Sequence, residues 1–145
     1  MPLWAGAVNA SQAAAIAQTL GGADMLSEVG LRSTSSDDPR YSNKDSIVPY
    51  SNWRGPMWAN ANVLACYGLA EYGYHELALE IATRVVGALA ADLRRSRMWH
   101  EAYSTFDGRA LAAPGFLSWD TLSAELLSNL QRGVNPFKLA PKVIE

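Results

Sequence analysis

The sequence predicts an all-α fold, built from helical hairpins with long loops gathered on one side. Three observations predict it. Apolar residues recur at three-to-four spacing over residues 57–72 and 75–95. Stop and turn residues punctuate those runs, at Gly21-Gly22, Gly73-Tyr74, Asp107-Gly108, Pro114-Gly115 and Gly133. No stretch of alternating polarity extends beyond a few residues.

Residues 11–20 form the first expected helix, with Ser11 as its N-cap and Gly21-Gly22 as its stop. A polar stretch follows, from about Leu31 to Pro56, and 33–45 carries almost no apolar periodicity. A loop this long in a packed domain is functional or disordered; Tyr41, Tyr50 and Trp53 favour an ordered, functional one. Helix resumes at Pro56, a good first-turn residue, and Met57, Ala61, Leu64, Ala65, Gly68 and Leu69 mark its apolar positions. Gly73 ends it. The next helix starts at His75 and runs to about Arg95, with Leu77, Ile81, Val85, Ala88 and Leu89 on one stripe. The short turn between them makes the pair an antiparallel αα-hairpin. Residues 99–116 are expected to be irregular. A last helix over 118–131 takes Ser118 as N-cap and buries Leu122, Leu126, Leu127 and Leu130. Ala59, Ala61, Val63, Ala65 and Cys66 leave the helix after Pro56 little solvated surface, as in an inner helix of a double-layered helical barrel. Four helices cannot close such a barrel, so apolar flanks of the inner helices are expected to lie open.

Bulk properties exclude several classes. With 145 residues and a 49% apolar fraction, the chain is one domain or a piece of one, with ample material for a core. The net charge is −2 and no basic patch tracks a phosphate backbone, which argues against nucleic acid. Arg94, Arg95 and Arg97 lie where a helix ends and complement its dipole. No run of about 18 apolar residues crosses a membrane. The N-terminus lacks the charged and apolar regions of a signal peptide, which favours a cytoplasmic location; if the chain is the tail of a longer protein, that absence says nothing about export. Cys66 is alone and sits on an apolar helical stretch, so it is expected as a small core residue. No spacing of Cys, His and Asp suggests a metal, and no cofactor is expected.

Five tryptophans is a high load, and Trp53, Trp58, Trp99 and Trp119 all stand beside a turn or polar signal. Indole faces stack on the apolar faces of pyranoses, amides and guanidinium groups bind hydroxyls, and a carboxylate performs acid/base work. Each candidate has a plainer alternative. Trp53, Trp58 and Trp119 either contact sugar or fill the core. Arg54 either bonds a hydroxyl or carboxylate or caps loop carbonyls. Asn60 faces a cavity from the first turn of its helix, while Asn62 can simply satisfy backbone groups. Glu101, between His100 and Tyr103, is either a water-binding carboxylate or a loop surface residue. His75 is expected on the surface, and a role for His100 in tuning the environment of Glu101 is the less favoured reading.

Tyr50-Ser-Asn-Trp-Arg-Gly-Pro-Met-Trp-Ala-Asn-Ala-Asn62 resembles the YWRGPxWxNxN signature of family 63 glycoside hydrolases, which are related to family 37 trehalases. Pro2-Leu-Trp-Ala-Gly6 is similar to the family's PLxAG segment. Gly30-Leu-Arg-Ser-Thr-Ser-Ser-Asp-Asp-Pro-Arg-Tyr41 is similar to its GxRSxxxxxPxY loop, and Gly68-Leu-Ala-Glu-Tyr-Gly-Tyr74 to its hairpin turn. Trp99-His-Glu-Ala-Tyr-Ser-Thr-Phe-Asp-Gly108 resembles xxExYxPxTG, departing at Thr105 and Asp107, and Phe116-Leu-Ser-Trp-Asp120 resembles the FSWTA helix start.

The resemblance implies that residues 1–145 form the C-terminal portion of an (α/α)6-barrel catalytic domain that hydrolyses an α-glucoside or α-mannoside with inversion. It implies Glu101 as general base and Trp53, Arg54, Gly55, Trp58, Asn60, Tyr103 and Trp119 as substrate-binding residues. An inverting pair sits about 6.5–9.5 Å apart to admit a water. The family's acid is an aspartate from an earlier segment, and none of Asp24, Asp37, Asp38, Asp45, Asp92, Asp107 or Asp120 lies in a matching motif. Little turnover is therefore expected from the chain alone, and self-association or pairing with the remaining part of a barrel is expected. The alternative is a non-catalytic carbohydrate-binding or scaffolding helical domain.

Overall fold

The computed structural model describes residues 2–45 and 52–138; Tyr50 and Ser51, at the start of the tryptophan-rich signature, lie outside them. The chain is mostly helical. It also carries two small antiparallel sheets, which corrects the expectation of a purely α structure.

Helix α1 (Ala10–Gly21) starts slightly earlier than expected, because Asn9 and not Ser11 caps it. The Gln12 amide donates to Asn9 Oδ1 at 3.0 Å, and the Asn9 amide donates to Gln12 Oε1 at 3.0 Å. This reciprocal box satisfies two otherwise unpaired donors, and Ser11 supports it by donating to Asn9 Oδ1.

Strands β1 (Leu26–Ser27) and β2 (Gly30–Leu31) make a tight hairpin ahead of the long polar stretch. Gly30 has φ +124°, and a Cβ there would sit 2.7 Å from Val85 Cγ2 and 2.8 Å from Asn62 Oδ1. Only glycine permits both the conformation and the approach. The next helix, α2 (Ala59–Glu71), begins three residues after Pro56, not at it. Met57 cannot join the helix because both its backbone groups are engaged elsewhere. Its amide donates to Tyr103 O at 2.8 Å, and its carbonyl accepts from the Tyr103 amide at 3.0 Å.

Helix α2 and helix α3 (His75–Ser96) form the expected hairpin across Gly73. Ala59, Asn62, Val63, Ala65, Cys66, Tyr67, Gly68 and Leu69 are all buried on α2, so this helix is enclosed on more than one face. The expectation that its flanks would lie open is not met, because α3 and the chain's last segment cover it. On α3 the buried set is Ala78, Ile81, Ala82, Val85, Leu89 and Asp92. Burial pushes the Cys66 thiol up to about 12, which makes it an inert core group.

Residues expected to be irregular form a second hairpin, β3 (His100–Tyr103) against β4 (Ala110–Pro114). The expected long last helix is broken into a 3-10 segment (Trp119–Ser123) and a short helix α4 (Leu126–Gln131). Ser118 makes no side-chain cap. Asp120, Ser123 and Leu126 face inward at three-residue spacing, the period of a 3-10 turn. That period rotates Leu122 outward, to 38% exposure, while Leu126 and Leu130 remain buried. Among the described residues no helix is long and apolar enough to cross a membrane.

Candidate active site

The site is assembled where β3, the start of α2 and the 3-10 segment meet. Met57 is the joint: it bridges Arg32 on one side and Tyr103 on the other, so the tryptophan-rich segment is stitched to β3. Trp58 follows at the N-cap of α2, fully buried, with its indole N–H donating to Asn52 O at 3.1 Å. Trp53 lies flat on it, ring centroids 3.7 Å apart and planes 9° from parallel, and is itself 45% exposed. Trp119 stands 6.4 Å from Trp53 and 5.8 Å from Trp58, and Phe116 packs 4.5 Å from Trp119. The four rings make one aromatic wall.

Glu101 is tied to this wall by its backbone: the Trp119 indole N–H reaches Glu101 O at 3.4 Å. The residue is half-buried on β3, opposite an irregularity in the ladder. His100 pairs with Pro114 and Ala102 with Leu111, so Ala112 and Ala113 together oppose Glu101. Ala112 holds φ +61° there, and its amide donates to Asp45 Oδ1 at 2.8 Å. A bulge of this kind bends a hairpin and re-aims the residue facing it.

The remaining predicted residues divide. Arg54 is exposed next to Trp53, and its backbone carbonyl accepts from the Ser42 amide at 2.8 Å. Gly55 is buried where the chain crosses itself: a Cβ would lie 2.5 Å from Ser42 O. Its amide donates to Ser33 Oγ at 2.9 Å. Asn60 is half-buried in the first turn of α2, with Oδ1 curled onto the Ala61 amide. Asn62 is a backbone clamp, accepting from the Leu31 amide at 2.7 Å and donating to Leu31 O and Trp58 O. Tyr103 turns away from the wall into the core, fully buried, and its hydroxyl donates to Asp92 Oδ2 at 3.0 Å. Burial drives its phenol well above the usual range. Trp53, Trp58, Trp119 and Glu101 are thus brought together, with Arg54 at the edge and Tyr103 beneath.

Two carboxyls that the motifs did not single out lie near Glu101. Asp92 is fully buried; burial alone would raise its carboxyl, but hydrogen bonds from His100, Ser96 and Tyr103 outweigh it and hold it below the usual range. Asp120 has the opposite environment. It is wholly buried, neither oxygen has a hydrogen-bond partner among the described residues, and Ser123 Oγ on the same segment has none. Burial first, and then the charges of Asp92 and Glu101, push it up to about 7. Perturbed carboxyls mark functional sites, but Asp120 has no exposed surface of its own. Asp92 was legible as a charge on the buried stripe of α3, three residues beyond Leu89. Asp120 and Phe116 gave no periodic signal. Among the described residues no group of three or more His, Cys, Asp or Glu is placed to hold a metal.

Comparison with known proteins places this arrangement. Residues 1–119 match the family described as the mannosylglycerate hydrolase MGH1-like glycoside hydrolase domain. Mannosylglycerate hydrolase MGH1 of Selaginella moellendorffii is 37% identical over 83 residues, which is 56% of this chain and 15% of that protein. Mannosyl-oligosaccharide glucosidase of Saccharomyces cerevisiae is 32% identical over 117 residues, 71% of this chain and 13% of its own length. The crystal structure of the family 63 mannosylglycerate hydrolase of Thermus thermophilus in complex with Tris and D-glycerate superposes with a TM-score of 0.68 at 27% identity, covering 88% of this chain and 28% of that one. The same enzyme in complex with glucose gives 0.65 at 26% identity, with the same coverage. The chain thus spans well under a third of the length of each of these relatives. A family match across most of the sequence makes the chain a member of the MGH1-like glycoside hydrolase domain family, within family 63 of the glycoside hydrolases.

Proposed function

We propose that this chain is the part of an inverting α-glycosidase, built on an (α/α)6 barrel, that supplies the general base and one wall of the sugar site. The single observation that carries the reading is the placement of Glu101 opposite a bulge, on a strand whose backbone is bonded to Trp119, beside an indole stack whose outer ring is half-exposed. Trp53 offers a face to a pyranose ring, Arg54 and Asn60 offer donors to its hydroxyls, and Trp58 and Gly55 hold Trp53 and its loop in place. Glu101 takes a proton from a water as that water attacks the anomeric carbon, while an acid on the opposite side protonates the leaving oxygen. No aspartate here matches the family's acid motif, so that group comes from outside this chain. The solved relatives are described as complexes with glucose and with D-glycerate, which supports an α-glucoside or α-mannoside substrate, with a glycerate aglycone as the first to try.

The test measures binding and turnover of mannosylglycerate and of aryl α-glucosides by the chain, alone and mixed with the complementary N-terminal portion of a related barrel. Binding without turnover is expected from the chain alone, and turnover on mixing. Proton NMR of the first-formed sugar should show the β-anomer. Glu101→Gln should lower the rate about 10²- to 10⁴-fold with binding retained. First release of the α-anomer, or a Gln variant as fast as the parent, defeats the reading. Affinity with no rate under any mixture leaves a carbohydrate-binding module.

A further inference from the structure

The strand that carries Glu101 is gripped from one point on a different element. Asp92, near the C-terminal end of α3, accepts from His100 Nδ1 at 2.8 Å and from the Tyr103 hydroxyl at 3.0 Å, both on its Oδ2. Its Oδ1 accepts from Ser96 Oγ at 2.9 Å, with Arg95 at 3.5 Å. The Tyr103 hydroxyl in turn accepts from the His100 amide at 3.1 Å. Every part of this network lies on the residue just before Glu101, on the one two after it, or on the helix beneath. The carboxylate is 1% exposed. A buried ion costs several kcal/mol to desolvate and is retained only where several donors satisfy it; plain helix anchoring would be served as well by the leucine that the apolar stripe of α3 calls for at this position.

We propose that Asp92 is a positioning residue for Glu101, fixing β3 through His100 on one side and Tyr103 on the other so that the carboxylate meets the aromatic wall in one orientation. Three restraints then converge on a single residue: the Asp92 clamp from below, the bulge at Ala112 from the partner strand and the Trp119 indole on the Glu101 carbonyl. Asp92 touches no substrate. Its effect is on where the base sits, and errors of about 1 Å in such groups cost about 10²-fold in rate. As a role in catalysis this rests on the glycosidase reading; as a statement about Glu101 it stands on the network alone.

The experiment therefore has two arms, both on the full chain. The first follows the carboxyl ¹³C signal of Glu101 and the indole Nε1–H of Trp119 by NMR in Asp92→Asn, His100→Phe and Tyr103→Phe, with circular dichroism as the control for folding. In Asp92→Asn both signals should shift or broaden while the fold is kept, and each single-spoke variant should give a smaller change. Should Asp92→Asn not fold, the two spoke variants decide. Signals of Glu101 and Trp119 unmoved in the folded variants overturn the proposal. The second arm uses the complemented enzyme: kcat should fall about 10- to 100-fold in Asp92→Asn with KM within about threefold. A loss confined to KM overturns the catalytic role. Absence of any turnover by the parent counts against the glycosidase reading and leaves the NMR arm to judge the clamp.

Discussion

Asp120 shows what a single buried group does to the pH dependence of the whole domain. Its carboxyl rises from 3.8 to about 7 because burial and the neighbouring charges of Asp92 and Glu101 disfavour the ionised form. The folded state therefore binds this proton more tightly than the unfolded chain. The resulting stabilisation is complete below pH 3.8 and disappears as pH rises through about 7, above which a bare carboxylate opposes folding. A shift of about three pH units corresponds to at most about 4 kcal/mol. Asp120→Asn should accordingly gain stability over the parent at pH 8 and lose most of that gain near pH 4.5, in urea denaturation at both values. A difference that does not vary with pH refutes the assignment. Ala112 is a second residue-scale case. At φ +61° an alanine bears a steric cost of about 1–2 kcal/mol, and glycine escapes it while losing about 0.5–1 kcal/mol of chain entropy. Ala112→Gly should stabilise by roughly 0.5–1 kcal/mol and Ala112→Val should destabilise; a lower melting temperature for the glycine variant contradicts the strain argument.

At the scale of elements, the site depends on joints between segments far apart in sequence. Asn62 is the firmest. It lies on α2, yet it pairs with both backbone groups of Leu31 on β2 and with the Trp58 carbonyl. The bare Cα of Gly30 leaves room for it. Asn62→Ala removes the partner of both Leu31 backbone groups, while Trp58 O keeps the residue-62 amide at 3.2 Å, and unpaired buried groups cost about 1–3 kcal/mol each before water re-enters. A loss of about 2–4 kcal/mol in chemical denaturation is expected, and one below about 0.5 kcal/mol would show that the joint contributes little. These joints also explain what could be foreseen. The α2–α3 hairpin was legible, because 3.6-residue periodicity and Gly73 are local signals. The β3–β4 hairpin was not: its strands are four and five residues long, Ala-rich and interrupted by a bulge, so no alternation survives. Pro56 pointed to a helix start that Met57 could not make once Tyr103 had taken both its backbone groups. Of the site, Glu101 and the tryptophans were visible as residue types beside turns. Asp120 was not, since only the 3-10 period turns it inward.

For the whole molecule, the question is which surfaces remain unfinished. Helix α2 is not one of them, since this chain's own elements enclose it. Among the described residues Leu93 is 44% exposed, Leu117 62% and Leu122 38%. Leu93 also lines a groove of about 140 Å³ between α3 and the 3-10 segment, together with Val86, Trp99, Asp120 and Ser123. Scattered apolar residues are ordinary on a protein surface. Here, however, the apolar edge borders two buried polar groups, Asp120 and Ser123, that have no side-chain partner among the described residues, a combination that a finished fold rarely leaves. We expect this face to be the one that associates, with a second copy or with the rest of a barrel, in line with a chain that covers only 28% of its solved relatives. Sedimentation velocity across a concentration series should show a species heavier than the 15.7 kDa chain, and Leu93→Glu should shift the population towards monomer. Leu117→Glu, on the neighbouring segment, should add to the effect. Phe106, at 79% exposure on the β3–β4 turn, serves as the control, because its ring meets Tyr41 and does not line the groove, so Phe106→Glu should leave the equilibrium as it is. A single 15.7 kDa species at every concentration would mean that the groove is closed to partners, and that Asp120 is a buried strain this fold simply tolerates.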